Sequence, residues 1–272
     1  MKYFIYIILI KMIKCIYINN QYDITRNKIG KNIFKKFFKK SDIVLDCNCG
    51  SGECIKNISP YIDKIYGIED NEIMYKESKR LNLNNLQDIR LESCIRTSFD
   101  KEMFDCIISN QNIQYLGLEN IDSFFKESYR ILKKSGKLII STRNKIPDYG
   151  DLYWYTEFAP NALKKVSEMI PDEHYLYELL IKNKFNVIDI IKPKDETFMN
   201  EKDYLDINGI YHESWRVDKL FWNNVNEDEL KNIQDNIHNM LENDTLNDFI
   251  CKKEKIRKIY GQSIFIIAEK RY

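Results

Sequence analysis

The sequence predicts an α/β protein, with a Rossmann-like, seven-stranded, mostly parallel sheet, helices on both faces, and a helical cap inserted before the last strand. From about residue 20 to residue 145, short apolar runs alternate with amphipathic stretches. Continuous apolar runs are typical of parallel strands that are buried on both faces, and their alternation with helices is typical of a doubly covered sheet. A polar, mainly helical stretch at about 194–260 separates the last two apolar runs and predicts the cap.

The strands are predicted, in order, at "DIVLDC", "KIYGIED", "LQDIRLES", "FDCIISN", "KLIIST", "FNVIDIIKP" and "QSIFIIAEK". The helices are predicted at "TRNKIGKNIFKKFFKK", "GECIKNISPYI", "NEIMYKESKRLNL", "LENIDSFFKESYRILKKSG", "NALKKVSEMI", "DEHYLYELLIKNK" and "NEDELKNIQDNIHNMLEN". Gly136 is the predicted stop signal of the fourth helix, and Asn226 is the predicted N-cap of the last.

We expect one domain over residues 21–272, with residues 146–184 and 194–260 as insertions on the cap and substrate side. Residues 1–20 form an uncertain hydrophobic segment whose apolar run, Tyr3 to Ile10, is far shorter than the ~20 residues that span a bilayer. No transmembrane anchor is therefore expected. A signal or anchor at residues 1–18 and a true start at Met12 both stay open.

The net charge of +1 conceals a basic N-terminal arm. The first forty residues carry ten Lys or Arg against one acid, Asp23, a local balance of +9. Such an arm fits a nucleic-acid contact, although a solvated helix face explains "NIFKKFFKK" more simply. A nucleic-acid partner stays open but is not favoured.

The seven cysteines are odd in number and form no C-x-x-C pair. Several lie inside apolar runs, as in "FDCIIS". This usage favours reduced, buried thiols and a cytoplasmic location over a disulfide framework.

The stretch "VLDCNCGSGE", residues 44–53, has four interpretations. A phosphate loop requires Lys and Ser/Thr after its second glycine, where Glu53 and Cys54 stand instead. A dinucleotide fingerprint lacks its glycine spacing, and a metal site at the three cysteines lacks a nearby histidine. An acid at the end of a strand, followed by a tight turn into a helix, suits a small polar cofactor that carries positive charge. No metal is expected.

"VLDCNCGSG" resembles the first motif of the class I S-adenosylmethionine-dependent methyltransferases, V-L-D-x-G-x-G-x-G, with Asn48 at the first glycine. Asparagine is the non-glycine residue that best tolerates positive φ, so the turn is expected to persist. The resemblance continues through "YGIED", "IRLESCIRTSFDKEMFDCIISNQNIQYL" and "ILKKSGKLIIST", and it covers roughly residues 20–145.

The resemblance implies S-adenosyl-L-methionine as the cofactor. Glu69 matches the acid that binds the ribose hydroxyls, and Ser93 replaces the acid that usually accepts from the adenine amino group. The implied cofactor-binding residues are Asp46, Asn48, Gly50, Gly52, Glu69, Asp70, Met74, Ser93, Cys94, Asn110 and Gln111.

Methyl transfer from a sulfonium mainly needs alignment and exclusion of water, so no catalytic residue is assigned. "SNQNIQYL" after the fourth strand lacks the Asn/Asp-Pro-Pro-aromatic motif of amino-directed nucleic-acid methylases, and the resemblance favours a small-molecule acceptor. Tyr22, Arg26, Trp154 and Tyr155 are candidate substrate residues. Two alternatives stay open: an RNA or protein methyltransferase, and a non-catalytic module that binds S-adenosylmethionine. The oligomeric state is not predicted.

Overall fold

The structure, a computed structural model, describes residue 30 and residues 32–145, 153–194, 205–216 and 220–271. These residues form two compact units, which we call the sheet unit and the helical unit. The sheet unit contains the described residues up to Lys145, then 169–193 and 263–271. The helical unit contains residues 153–168, 194, 205–216 and 220–262.

The sheet unit is built on seven strands: β1 (Ile43–Cys47), β2 (Lys64–Glu69), β3 (Leu86–Leu91), β4 (Phe104–Asn110), β5 (Leu132–Arg143), β6 (Phe185–Ile191) and β7 (Ser263–Lys270). Their spatial order is β3-β2-β1-β4-β5-β7-β6. Strands β1 to β5 pair in parallel, and β7 runs antiparallel to both β5 and β6. This mostly parallel sheet confirms the predicted fold class.

The helices of the sheet unit are α1 (Glu53–Ile58), α2 (Glu72–Ser78), α3 (Leu118–Ile131) and α5 (Glu173–Lys182). The helical unit contains α4 (Pro160–Met169, ending just inside the sheet unit), α6 (Glu213–Arg216), α7 (Glu227–Glu242) and α8 (Leu246–Tyr260). The predicted cap of α7 is confirmed, because the Asn226 side chain accepts a 2.8 Å hydrogen bond from the Glu229 N–H.

The core of the sheet unit lies between the sheet and its helices. Fully buried aliphatic and aromatic side chains from β1, β4 and β5 meet those of α3 and α5, among them Leu45, Phe104, Phe125, Leu138 and Leu180. Burial of this apolar surface is the main force that holds the unit together.

The helix before β5 ends earlier than the sequence predicts. It was expected to continue to Gly136, but α3 ends at Ile131 and Leu132 already pairs with Phe104. Ser135 then adopts a φ of 58°, so the chain turns before the main part of β5. The prediction was wrong because a strand pairing, which periodicity does not reveal, ends the helix.

Within the described residues, no helix combines the length and apolar character that crossing a bilayer requires. The candidate substrate residues Tyr22 and Arg26, and most of the basic arm, lie outside the described residues. The expectation that the insertions cover the substrate side stays a prediction.

Candidate functional site

The strand order reverses between β1 and β4. The chain proceeds from β1 toward β2 and β3 on one side, and from β4 toward β5 on the other. In open α/β sheets, ligands bind where the strand order reverses in this way. Asp46 and Ile108 are paired in register at this point, and Asp46 is 1% exposed.

The loop after β1 has a left-handed backbone at every second residue. The φ angles are 53° at Asn48, 58° at Gly50 and 88° at Gly52. Gly52 is followed by α1, and a Cβ there would overlap Cδ1 of Leu81. The turn therefore needs residues that accept positive φ, and Asn48 satisfies this requirement as the sequence predicted.

The loops after β1 and β2 are joined by a buried carboxylate. Glu69 is 5% exposed; its Oε2 accepts from the Gly50 N–H at 2.8 Å, and its Oε1 accepts from the Asn71 N–H at 2.9 Å. Burial raises the pKa of Glu69, and the two N–H groups oppose this rise. Each carboxylate oxygen keeps acceptor capacity for a further donor.

A second bridge joins the same loops. Nδ2 of Asn48 donates to Oδ1 of Asp70 at 3.3 Å. Asp70 is exposed and Met74 is partly buried in the first turn of α2. The sequence named these residues individually, but it did not reveal the Asn48–Asp70 hydrogen bond.

The turn after β4 is anchored to β5. Gln111 has a φ of 54°, and its N–H donates to Ser141 at 2.9 Å. The Ser141 hydroxyl donates to Oδ1 of Asn110 at 2.6 Å. The structure thus brings Asn110 and Gln111 to the same edge of the sheet as Asp46, in buried positions.

The loop after β3 supplies Ser93, which is partly buried, and Cys94, which is 2% exposed. Burial raises the pKa of the Cys94 thiol to about 12, so this group is a neutral thiol. Around the turn from β1 to α1, Cys47, Cys49 and Cys54 are buried as well. Among the residues that the structure describes, no cluster of His, Cys, Asp or Glu is arranged to hold a metal ion.

Trp154 and Tyr155 lie in the helical unit, in an aromatic cluster. The Tyr155 ring is 5.3 Å from that of Trp154 and 5.0 Å from that of Trp222, measured between centroids. Both candidate residues are at most 2% exposed. Their packing accounts for their burial, and contact with a substrate stays a prediction.

The buried acids and the tight loops fit an S-adenosylmethionine cofactor. Such a molecule offers ribose hydroxyls that donate hydrogen bonds and a positively charged ammonium and sulfonium, and carboxylates at Asp46 and Glu69 suit these groups. The Asn48 Oδ1 atom is buried without a hydrogen-bond partner in the described part of the chain. An acceptor of this kind also calls for a donor such as a hydroxyl.

Comparison with family models agrees with this geometry. Residues 45–140 match a family described as "Methyltransferase domain", and this segment runs from β1 to β5. Together with the strand order, this match supports a class I S-adenosylmethionine-dependent methyltransferase. The match to a methyltransferase domain also supports S-adenosylmethionine as the cofactor.

Curated relatives include enzymes of quinone biosynthesis. The chain is 28% identical over 198 residues to the ubiquinone biosynthesis O-methyltransferase of Pelagibacter ubique. The aligned segment covers 70% of this chain and 78% of the relative. It is 26% identical over 170 residues to a ubiquinone/menaquinone biosynthesis C-methyltransferase of Rickettsia rickettsii. This aligned segment covers 59% of this chain and 66% of the relative.

Solved structures share the fold. A protein of Anabaena variabilis, assigned as a methyltransferase from an antibiotic biosynthesis pathway, matches with a TM-score of 0.70 at 15% identity, over 89% of this chain and 98% of that one. The [4+2]-cyclase SpnF matches with a TM-score of 0.55 at 16% identity, over 89% and 79%. A cyclase among these structures shows that the fold alone does not decide the chemistry.

Proposed function

We propose that this protein transfers a methyl group from S-adenosylmethionine to a small-molecule acceptor, with the cofactor held by the loops after β1 and β2. The observation that carries the proposal is the buried Glu69 carboxylate, which is bonded to the Gly50 N–H inside the segment that matches the methyltransferase family.

The residues of the cofactor site have proposed roles. Glu69 accepts from the ribose hydroxyls, and Asp46 faces the positively charged part of the cofactor. Gly50 and Gly52 allow the backbone to approach closely. The other residues that we assign to the proposed cofactor site are Asn48, Asp70, Met74, Ser93, Cys94, Asn110 and Gln111.

The cofactor supplies an electrophilic methyl group on a good leaving group. The protein therefore has to align the acceptor and exclude water. Asn110 and Gln111 are buried and fixed to β5, so they are suited to positioning. The three histidines, His174, His212 and His238, are all exposed, which gives no support to a histidine base.

Small-molecule acceptors recur in the names of the relatives. These names refer to ubiquinone biosynthesis in Pelagibacter ubique, a sterol in Caenorhabditis elegans and phosphoethanolamine in Zea mays. We propose an acceptor of this size class and keep Tyr22, Arg26, Trp154 and Tyr155 as candidate contacts. An RNA acceptor is the alternative that the basic arm suggests.

We propose a reducing compartment, the cytoplasm, because of the cysteine usage. Five of the six described cysteines are buried, and the sequence contains no C-x-x-C pair. Thiols of this kind are typical of reducing compartments.

Calorimetric titration with S-adenosylhomocysteine tests cofactor binding, and we expect saturable binding with one site per chain. Absence of binding at high micromolar ligand, with protein shown to be folded by circular dichroism, would contradict the proposal. Incubation with methyl-labelled S-adenosylmethionine and a cell extract then tests transfer, with label expected in the small-molecule fraction. Label in RNA would favour the alternative, and binding without transfer to any fraction would indicate a non-catalytic module.

A further inference from the structure

Asn48 stands at a position where the methyltransferase motif that this loop resembles has glycine, so its side chain replaces a hydrogen atom. Its backbone φ of 53° is the one that glycine would adopt, so the substitution leaves the turn intact and adds an amide. That amide carries one acceptor and two donors more than glycine would offer. What these groups contact decides whether Asn48 has a role of its own.

The nitrogen of the Asn48 side-chain amide has a hydrogen-bond partner. Nδ2 donates to Oδ1 of Asp70 at 3.3 Å, and Asp70 directly follows Glu69. This bond also fixes the orientation of the amide, because a reversed group would place two oxygens against each other. The Oδ1 atom of Asn48 therefore points away from Asp70.

The oxygen of the Asn48 side-chain amide is a hydrogen-bond acceptor. Oδ1 of Asn48 is buried, and it has no hydrogen-bond partner in the ranges that the structure describes. Buried acceptors without partners are uncommon in proteins and usually indicate an absent water, ion or ligand. A donor is required there, and neither Asp70 nor Glu69 supplies one in its ionised form.

The neighbourhood indicates which donor this is. Strand register places Cys47 beside Ile68, so Asn48 and Glu69 continue from adjacent positions of β1 and β2. Both oxygens of Glu69 already accept backbone N–H groups, from Gly50 and Asn71. A ribose brings two hydroxyl donors to this edge, and a second acceptor beside the carboxylate would serve one of them.

We propose that Asn48 Oδ1 accepts a hydrogen bond from a ribose hydroxyl of the cofactor, held in place by the Asn48–Asp70 bond. The inference rests on the proposed function. It makes Asn48 a binding residue through its side chain, and it makes Asp70 a positioning residue that acts through Asn48.

Asn48→Gly is the informative variant, because glycine keeps the left-handed turn and removes only the amide. We expect calorimetry to show about a fivefold loss of affinity for S-adenosylhomocysteine, as for one neutral hydrogen bond. The same loss is expected for 5′-methylthioadenosine, which keeps the ribose but lacks the amino-acid part. With the 2′-deoxy and 3′-deoxy analogues of S-adenosylhomocysteine, the effect of Asn48→Gly should vanish for one of the two.

Asp70→Ala is the companion variant, with an expected smaller loss that is not additive with Asn48→Gly. A loss with S-adenosylhomocysteine but none with 5′-methylthioadenosine would overturn the inference in favour of a contact with the amino-acid part. Unchanged affinity of Asn48→Gly, with binding by the wild type intact, would overturn this inference alone. A folded wild-type protein that binds no S-adenosylhomocysteine would overturn the proposed function and this inference together.

Discussion

The backbone N–H of Gly50 donates a 2.8 Å hydrogen bond to Oε2 of Glu69, which joins the turn after β1 to the end of β2. The bond links two residues that are 19 positions apart in sequence, one in the loop after β1 and one at the end of the neighbouring strand β2. Because the carboxylate is buried, it orders the turn before any ligand arrives, and an ordered site loses less conformational entropy on binding.

Glu69→Gln is expected to weaken the binding of S-adenosylhomocysteine about tenfold or more, since charge-assisted hydrogen bonds are lost. The new amide NH2 would also face an N–H group at Gly50 or Asn71 and could not accept from it. Glu72→Gln is the matched control: Glu72 is exposed on α2 and pairs with Lys76. Calorimetry should show the control within twofold of the wild type, and equal affinities for both variants would contradict the role of Glu69.

The affinity for S-adenosylhomocysteine is expected to fall as the pH drops through the raised pKa of Glu69, because only the carboxylate accepts two hydroxyl donors. The effect on stability has the opposite sign. Because the pKa of Glu69 is raised in the folded state, folding favours the protonated carboxyl. The resulting contribution to the stability of the fold is fully present below the unfolded pKa of ~4.3, and it is lost as the pH rises through the folded pKa. Titrations at several pH values check the binding, and a Glu69→Gln variant with the same pH dependence would refute the assignment.

Glu127 on α3 is expected to stabilise the sheet unit. Its Oε1 accepts from the Thr97 N–H and hydroxyl at 2.8 and 2.6 Å, and Arg130 donates to both of its oxygens. Glu127→Ala should lower the free energy of unfolding by about 2 kcal/mol, because the partly buried Thr97 donors and the charged Arg130 lose their common acceptor. Urea unfolding measures the loss, with the exposed Glu119→Ala on the same helix as a control that should remain close to the wild type.

The contribution of Glu127 to the stability of the fold is expected to decrease at acidic pH. Burial alone would raise the pKa of this carboxyl, but hydrogen bonds from Arg130 and Thr97 outweigh burial and hold the pKa below its usual range. A lowered folded-state pKa contributes stability above the unfolded pKa and loses it as the pH falls through the folded pKa. The difference in stability between wild type and Glu127→Ala should therefore shrink on acidification; a constant difference would contradict this.

Gly52→Ala is expected to destabilise the protein by about 2 kcal/mol, from left-handed backbone strain and from crowding against Leu81. The double variant Gly52→Ala/Leu81→Ala separates the two causes, since only the crowding is relieved. Urea unfolding should show a favourable coupling between the substitutions. No coupling would mean that backbone strain accounts for the whole effect.

The sheet was predictable because its strands are continuous apolar runs. Each predicted strand is present, with ends that shift by a few residues; "LQDIRLES", for example, contributes β3 as Leu86–Leu91. The stop at Gly136 was wrong because the Leu132–Phe104 pairing ends α3 earlier. Local patterns specify that a helix exists more reliably than where it ends.

The left-handed turn at Asn48 was predictable from residue chemistry, and its φ of 53° confirms it. The Asn48–Asp70 hydrogen bond was not predictable, because it depends on which strands are neighbours and in which register. Likewise, the sequence placed Trp154 and Tyr155 in an aromatic stretch, but only the three-dimensional structure shows that their rings pack on each other.

Strand β7 lies between β5 and β6, although it follows both in the chain. During synthesis β6 therefore leaves the ribosome long before its only neighbour in the described sheet exists. A strand without a partner exposes its backbone N–H and C=O groups to other chains. In the nascent protein β6 stays unpaired until β7 has been synthesised. Chaperone binding and aggregation during translation should therefore be greatest in the interval before β7 emerges.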